Sequence, residues 1–542
     1  MNKIVLAQIN TIAGNISGNA EKITDCIEKA KAQNADLIIF PELALMGYPF
    51  GDIFVRHHSI VERQLEALEK IASKTDNITA LVGFAEPTCD ANKKPFYNSV
   101  AVLQNGRVIN IVRKRLLPNY SEFNDYRYFE PYDKVSELLE LNGEKYGILV
   151  CEDSFNDKSF FKEDCIYRVD PVAEIMAKKP TTLINCSCSP SRCGKEFTKN
   201  SLFSSIAKKY GVNYIYVNQA GYADNLSFDG TSRIYDKNGN LTLRAKVFEE
   251  DFVLTEDLTG KINEIPAGME KEVKVDNFNL DYQSDLARTY KSIVFGIQEY
   301  FRKNGFKKAV LGLSGGLDST ICAVLLADAL GKENVWGISM PSRITSKESK
   351  NDAKVLAENL GINFFEVPLA EAIDPMKSML NFAYIGYATV NGDMSGGFAP
   401  IADVTKTKLF ALGDYLNKNR PQKNAIPQVI LEKPPGAELK INPKTGKTVC
   451  AEEENMPYEF LDEIIWYVEN LGYGFNDLMN HKFYYENSHD LSIEEKTEWV
   501  KKFFWKSQFA VYKWHIIPPS VVTDMHSINS VEYRQPIISK IN

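Results

Sequence analysis

The sequence predicts an α/β chain of two domains, the first made of sheets packed in layers and the second built on a parallel sheet wound by helices. Three observations lead there. At 542 residues the chain exceeds what one hydrophobic core supports. Its first half holds many short strand-like runs with few helical ones between them, the pattern of a layered domain. Its second half repeats strand, helix, strand, helix, strand around a glycine-rich turn, which calls for parallel pairing with right-handed crossovers. A polar, mostly aperiodic stretch with Gly260, Pro266 and Gly268 separates the halves, so domains are expected at 1–256 and 286–542 with a linker over 257–285.

In the first half, Ile4 to Ile9 and Leu37 to Phe40 are apolar runs of strand length, and Ala20, Ile23, Ile27 and Ala30 between them recur at helical spacing. Further strands are expected at Ala80 to Phe84, Ser99 to Gln104, Val108 to Arg113, Gly147 to Cys151, Thr182 to Cys186 and Tyr214 to Val217. Three polar residues stand at strand ends: Glu42 after Ile38-Ile-Phe-Pro, Lys114 after Val112-Arg, and Cys151 closing Gly147-Ile-Leu-Val. A cysteine needs a base to become a thiolate, and the tetrahedral intermediate of amide attack needs a positive or hydrogen-bonding group for its oxygen. Glu42 as base, Lys114 as oxyanion stabiliser and Cys151 as nucleophile meet both needs. Taken singly, a buried cysteine is usually core, and Glu and Lys are usually surface. A rival pairing of Cys151 with His57 or His58 needs the histidine nearby in space, and the turn Gly47-Tyr-Pro-Phe-Gly-Asp52 is expected to put that pair at the surface. Cys186, Cys188 and Cys193 lack a second paired knuckle, so core or pocket wall is expected of them rather than a metal site.

The words around these residues carry a resemblance. Pro41-Glu42-Leu-Ala-Leu-Met-Gly-Tyr-Pro, Lys114-Arg-Leu-Leu-Pro-Asn-Tyr120 and Gly147-Ile-Leu-Val-Cys151-Glu-Asp resemble, in that order, the Glu, Lys and Cys blocks of the nitrilase/amidase family. The resemblance implies a four-layer αββα sandwich and attack of Cys151 on a carboxamide. Asn119 to Phe129 further resembles the glutamine-using branch, which implies that Tyr120 lines a pocket for L-glutamine. Ser189-Pro-Ser-Arg-Cys-Gly-Lys195 is similar to that branch's Ser-Pro…Gly-Lys segment, which implies Ser189 and Lys195 as further glutamine contacts.

In the second half, helix Leu286 to Asn304 leads into strand Ala309 to Leu313, followed by a turn and an apolar helix from Ser319 to Leu330. Strand Asn334 to Ser339, helix Ser346 to Leu360 and strand Asn363 to Val367 continue the pattern. Ligands of such sheets sit at the carboxyl ends of strands, where Ser314, Gly315, Gly316, Leu317, Asp318, Ser319 and Thr320 lie. The glycines let backbone N–H groups approach a ligand closely, and the helix start adds partial positive charge, so the loop suits a pyrophosphate. No Gly-Lys-Ser/Thr follows, so this is not a Walker A loop. Asp318 would repel a phosphate unless it held a Mg²⁺ bridging to it. Ser314-Gly-Gly-Leu-Asp-Ser319 resembles the pyrophosphate loop of the ATP pyrophosphatase group. That implies a doubly wound parallel sheet, ATP contacts along Ser314 to Thr320, and chemistry in which an oxygen is adenylated and AMP is then displaced.

Met340-Pro-Ser with Asp352-Ala, Tyr387-Ala-Thr-Val-Asn-Gly-Asp, Lys406-Thr-Lys and Lys433-Pro-Pro-Gly-Ala-Glu438 resemble successive blocks of the NAD synthetase family. Tyr512-Lys513-Trp-His-Ile-Ile-Pro-Pro is similar to a late block of the same family, which implies that Lys513 contacts deamido-NAD. Joined to the amidase-like half, this is the arrangement of the glutamine-hydrolysing NAD synthetases. It implies L-glutamine, ATP with Mg²⁺ and deamido-NAD as the molecules handled, and homo-oligomers through the synthetase domains. The family also carries a segment with Glu-Asn-x-x-x-Arg-x-Arg and Gly-Asn-Lys-Ser-Glu, and here only Leu369 to Ile385 occupies its place. The alternative expectation is therefore a relative that keeps glutaminase and nucleotide binding but has an impaired synthetase. GMP and asparagine synthetases use similar loops with other acceptors, but pair them with other glutaminase folds.

Net charge −8 and pI near 5.6 argue against a general nucleic-acid binder. Nine cysteines without framework spacing, no signal peptide and no long apolar span point to a cytoplasmic chain without a membrane anchor.

Overall fold

Strand β1 (Ile4–Gln8) is buried along its length and divides its side chains between two cores: Ile4 and Leu6 face a second sheet, while Val5 and Ala7 face helices. The structure, a computed structural model, describes residues 2–56, 58–192, 194–259, 286–341, 345–368, 396–433, 456–514 and 518–523. The chain divides into two units, Met1–Glu272 and Val273–Asn542.

In the first unit β1 lies parallel to β2 (Leu37–Ile39), and β2 lies parallel to β3 (Thr79–Pro87). Helices α1 (Ile16–Ala32) and α2 (His58–Ala72) follow β1 and β2 in sequence. β4 (Phe96–Gln104) and β5 (Arg107–Arg113) add an antiparallel meander at one edge. The second sheet centres on three parallel strands, β7 (Glu144–Val150), β8 (Thr182–Ser187) and β9 (Asn213–Asn218), with β6 (Leu139–Leu141) at one edge. Between β7 and β9 the chain forms α3 (Pro171–Met176) and α4 (Lys195–Tyr210). After the hairpin β10 (Ala220–Ala223) and β11 (Leu226–Asp229), β12 (Arg233–Tyr235) and β13 (Leu241–Arg244) extend the second sheet. β14 (Asp251–Thr255) returns to pair antiparallel with β1.

Three clusters of buried side chains define the layers. Leu37, Val100 and Val102 of the first sheet meet Ile148, Ile184 and Ile215 of the second. Ile23, Ile27, Leu68 and Ile71 cover the outer face of the first sheet, and Val172, Ile175, Leu202 and Phe203 that of the second. This is the expected four-layer αββα sandwich. The sequence understated its helices, since α2 and α4 interleave long charged residues with the apolar stripe. It also passed over β6 and β10 to β14, which are three to five residues long and owe their strand geometry to partners distant in sequence. Leu258, placed by the sequence in the linker, packs into the inter-sheet core.

In the second unit α5 (Leu286–Asn304) precedes β15 (Ala309–Gly312), and β15, β16 (Val335–Ser339) and β17 (Asn363–Glu366) pair in parallel in that order. α6 (Leu317–Leu330) and α7 (Lys347–Leu360) connect them. α6 starts two residues earlier than expected, with Gly316 as N-cap and Thr320 N already donating to Gly316 O, so Asp318, Ser319 and Thr320 lie in a helical first turn. α8 (Lys406–Asn419) contacts α5 and α6, while α9 (Tyr458–Leu471) and α10 (Ile493–Trp514) build a helical core around Phe460, Ile464, Phe483 and Val500. Leu369 to Ile385, Arg343, the block from Tyr387 and Glu438 lie outside the described residues. Among the described residues no helix is long and apolar enough to cross a membrane.

Candidate active site

Past β2 the chain turns through Phe40 and Pro41 and lays Glu42 across β3. Phe40 N donates to Leu81 O at 3.0 Å, and Leu45 N donates to Gly83 O at 3.0 Å. A Cβ on Gly83 would stand 2.3 Å from Leu43 N, so only glycine lets the corner sit this close. Glu42 is buried, and each of its carboxylate oxygens is held. Oε1 accepts from Asn98 Nδ2 and from Lys114 Nζ, both at 2.7 Å, and Oε2 accepts from Cys188 N at 2.9 Å. The Cys188 thiol donates to Glu42 O at 2.9 Å, and the residue lies in a buried core cluster, the core that was one of the two placements expected of it. Cys186 is buried in the inter-sheet core, and Cys193 lies outside the described residues. No group of three or more His, Cys, Asp or Glu suited to a metal occurs among the described residues.

Lys114 continues directly from β5, and its N–H donates to Asn98 O at 2.8 Å. Its ammonium lies between Glu42 and Asp125, 2.7 Å from each, with all three side chains almost wholly buried. Burial opposes the charge, but the Asp125 and Glu42 carboxylates more than offset it and hold the lysine pKa well above its ordinary value. One cation thus serves two carboxylates, and neither Asp125 nor Asn98 stood out in the sequence.

Cys151 leaves β7 at φ +43°, a conformation costing about 1–2 kcal/mol for a residue with a Cβ, and opens a 3₁₀ turn over Cys151–Ser154. The expected strand to Cys151 therefore ends one residue early. Asp153 stabilises the turn. Its Oδ1 accepts from Arg115 N and Leu116 N, both at 2.9 Å, and its Oδ2 accepts from Val150 N at 3.1 Å. The Cys151 turn is thereby tied to the residues next to Lys114. Asn185 Nδ2 donates to Cys151 O at 3.0 Å. Burial pushes the Cys151 thiol pKa up and the Glu42 charge adds to this, with Lys114 and Lys195 pulling the other way, so the resting group is a thiol. The charges acting most strongly on it come from Glu42, Lys114, Glu152 and Lys195. His57 and the side chain of His58 lie outside the described residues.

Of the expected glutamine contacts, Tyr120 donates its hydroxyl to Glu152 Oε1 at 2.9 Å, and burial together with the Glu152 charge raises its pKa. Lys195 opens α4 with its ammonium 5.4 Å from the centre of the Phe123 ring, and burial pulls its pKa down. Ser189 is buried one residue past Cys188, its backbone clamped by Asn218 through both N–H and C=O. Tyr167 joins Tyr120 on Glu152 Oε1 at 3.1 Å, and nothing in the sequence marked it.

The glycine-rich loop expected to hold phosphates follows β15 in the second unit. Gly315 has φ +81°, and a Cβ there would fall 2.2 Å from Ser349 O, so glycine is required. Ser314 N donates to Ser319 Oγ, and Gly316 N donates to Ser314 Oγ, both at 3.2 Å; these hydroxyls occupy N–H groups that an anion would take. Leu317 and Thr320 are buried beneath the loop. Asp318 is mostly exposed and accepts from Lys406 Nζ at 2.5 Å. Lys433 Nζ donates to Ser349 Oγ, on the helix that backs the loop. Lys513 falls in α10, and its side chain lies outside the described residues.

The family described as carbon-nitrogen hydrolase matches residues 3–266, and that described as NAD synthase matches 289–384 and 380–506. The two pieces of the second match meet at 380–384, within the stretch Leu369 to Ile385. The chain is similar to the glutamine-dependent NAD(+) synthetase of Synechocystis, with 35% identity over 515 residues, 85% of this chain and 87% of the relative. Its counterpart from Thermotoga maritima is 34% identical, covering 85% of this chain and 88% of the relative. The solved structure of the Acinetobacter baumannii glutamine-dependent NAD+ synthetase in complex with ADP superposes with a TM-score of 0.70 at 27% identity, covering 99% of this chain and 98% of that one. The Cytophaga hutchinsonii enzyme superposes at 0.79 with 21% identity over 99% of this chain and 98% of that one, a likeness of fold.

Proposed function

The chain belongs to the glutamine-dependent NAD(+) synthetases, and from that premise we propose how its two units divide a ligase reaction that takes its amido nitrogen from glutamine. The first unit hydrolyses L-glutamine. The observation that carries this is the buried contact of Glu42 with Lys114 beside the turn of Cys151. Cys151 attacks the carboxamide carbon as Glu42 takes the thiol proton, which is why a raised thiol pKa is compatible with catalysis. Lys114 stabilises the oxygen that becomes negative, and Asp125 and Glu42 keep it charged for the purpose. Glu42 returns the proton to the departing nitrogen, ammonia leaves, and water then releases glutamate from the thioester. Tyr120, Ser189 and Lys195 line the substrate pocket.

In the second unit ATP binds with its phosphates on Ser314 to Thr320. The carboxylate of deamido-NAD takes the adenylyl group as pyrophosphate leaves, and ammonia displaces AMP to form the amide of NAD. Asp318 is the residue that would hold Mg²⁺. One exposed carboxylate suits an ion that keeps most of its shell as water and phosphate oxygen, and Lys406 would have to yield to it. When bound, the ion neutralises phosphate charge. Lys513 is assigned to deamido-NAD on sequence alone.

A synthetase-impaired relative is not favoured, because the likeness to named synthetases runs across both units. Incubation with ATP, deamido-NAD and either glutamine or ammonia tests the assignment, with AMP and NAD both measured. NAD formed from both donors is the expected result, and AMP without NAD would overturn it.

A further inference from the structure

The chain from Phe155 to Asp170 leaves the nucleophile's turn, runs over the surface and comes back to it. Ile166, Arg168 and Val169 are exposed, whereas Tyr167 between them turns inward. Its placement is built in. The buried Asn156 accepts from Tyr167 N at 3.3 Å and donates to Tyr167 O at 3.0 Å and to Val169 O at 2.7 Å. The base of the loop is fixed as well, since Asp157 pairs with Lys209 at 3.0 Å and Asp170 caps α3 while accepting from Lys158 N. The result is one phenol O–H on Glu152 Oε1, at the oxygen that Tyr120 also reaches.

Glu152 adjoins the nucleophile in sequence, is 5% exposed, and feels the charges of Lys114 and Lys195. Burial raises its carboxyl pKa, and against that pull the two phenol donors favour the ionised form and fix its direction. A carboxylate held in this way is of no use to hydrolysis of a plain aliphatic amide. It is suited to a substrate that carries a cation a few bonds from its amide, and in L-glutamine the α-carbon that bears the ammonium stands three carbon–carbon bonds from the amide carbon. Lys195, acting on both Glu152 and Cys151, supplies the opposite charge that the α-carboxylate needs.

We propose that Tyr167 is a specificity-determining positioning residue, and that with Tyr120 it holds Glu152 as the receptor for the α-ammonium group of the amide donor. The proposal rests on the glutaminase reading of the first unit. Its test compares L-glutamine with glutaramate, the same molecule without the α-amino group, as substrates of full-length wild-type protein and Tyr167→Phe. Removing the hydroxyl is expected to lower kcat/KM for L-glutamine about tenfold more than for glutaramate, chiefly through KM. Glutaramate turnover by the variant reports that Cys151, Glu42 and Lys114 are still assembled. If wild type ignores glutaramate, that selectivity itself supports a receptor for the α-amino group, and the KM of the variant for L-glutamine, again about tenfold higher, carries the test. Equal losses on both substrates, or an unchanged KM for L-glutamine, overturn the proposal. Wild type that hydrolyses neither molecule overturns the glutaminase reading and the proposal with it.

Discussion

Lys114 Nζ lies 2.7 Å from Glu42 Oε1, with both side chains 1% exposed. Since the same ammonium lies 2.7 Å from Asp125, its removal would strand two buried carboxylates. Lys114→Met is expected to destabilise the first unit by about 3–5 kcal/mol and to lower glutamine turnover by roughly 10²–10³-fold. Denaturant unfolding and a glutaminase assay check both numbers, and wild-type stability would refute the shared-cation account.

Cys151→Ala should abolish glutamine-driven NAD formation while ammonia-driven formation continues. The thiol acts only in releasing ammonia, and loss of a covalent nucleophile costs several orders of magnitude. Continued glutamine hydrolysis by the variant would remove Cys151 from its role.

Burial raises the Asp153 carboxyl from its ordinary 3.8 to about 6, against the pull of the N–H groups of Leu116, Val150 and Arg115. The folded form then binds the proton more tightly than the unfolded form. The stability this contributes is fully present below about pH 3.8 and is lost as pH rises through about 6. Asp153→Asn removes the titration. The unfolding free energy of wild type relative to the variant should therefore fall by on the order of 2–3 kcal/mol between pH 4 and 6.5. A difference that stays flat, or rises, contradicts the assignment.

Asp318→Asn should weaken use of MgATP by about tenfold or more while basal glutamine hydrolysis persists. The amide keeps the shape but offers a hard cation no charge, and it leaves Lys406 without the negative charge it pairs with at 2.5 Å. Titrations of Mg²⁺ against AMP formation distinguish the outcomes, and an unchanged Mg²⁺ requirement would place the ion elsewhere.

Much of this protein was legible in the sequence because its signals are local. β1, β2, β15 and β16 are largely apolar runs of strand length, α5 was placed at its observed bounds, and Gly315 of the glycine-rich loop has a conformation that almost no other residue tolerates. Glu42, Lys114 and Cys151 were singled out because each stands where a strand ends, within a word that limits its meaning, and the structure buries all three. Asn98, Asp125, Asp153 and Tyr167 were not found. Each is an ordinary polar residue in its own neighbourhood and acquires a function from a group elsewhere in the chain.

The sequence by itself determined the α/β fold class, the family and most of the longer secondary elements, because periodicity, turn chemistry and local words depend only on neighbours along the chain. Tertiary structure alone decided which charges share the pocket. The order of strands in the two sheets sets which strand ends converge, and buried charges must then be satisfied by whatever that convergence brings within hydrogen-bond reach. Asp125 supports Lys114 and Asp153 fixes the Cys151 turn for that reason, and no pattern along the chain records either contact.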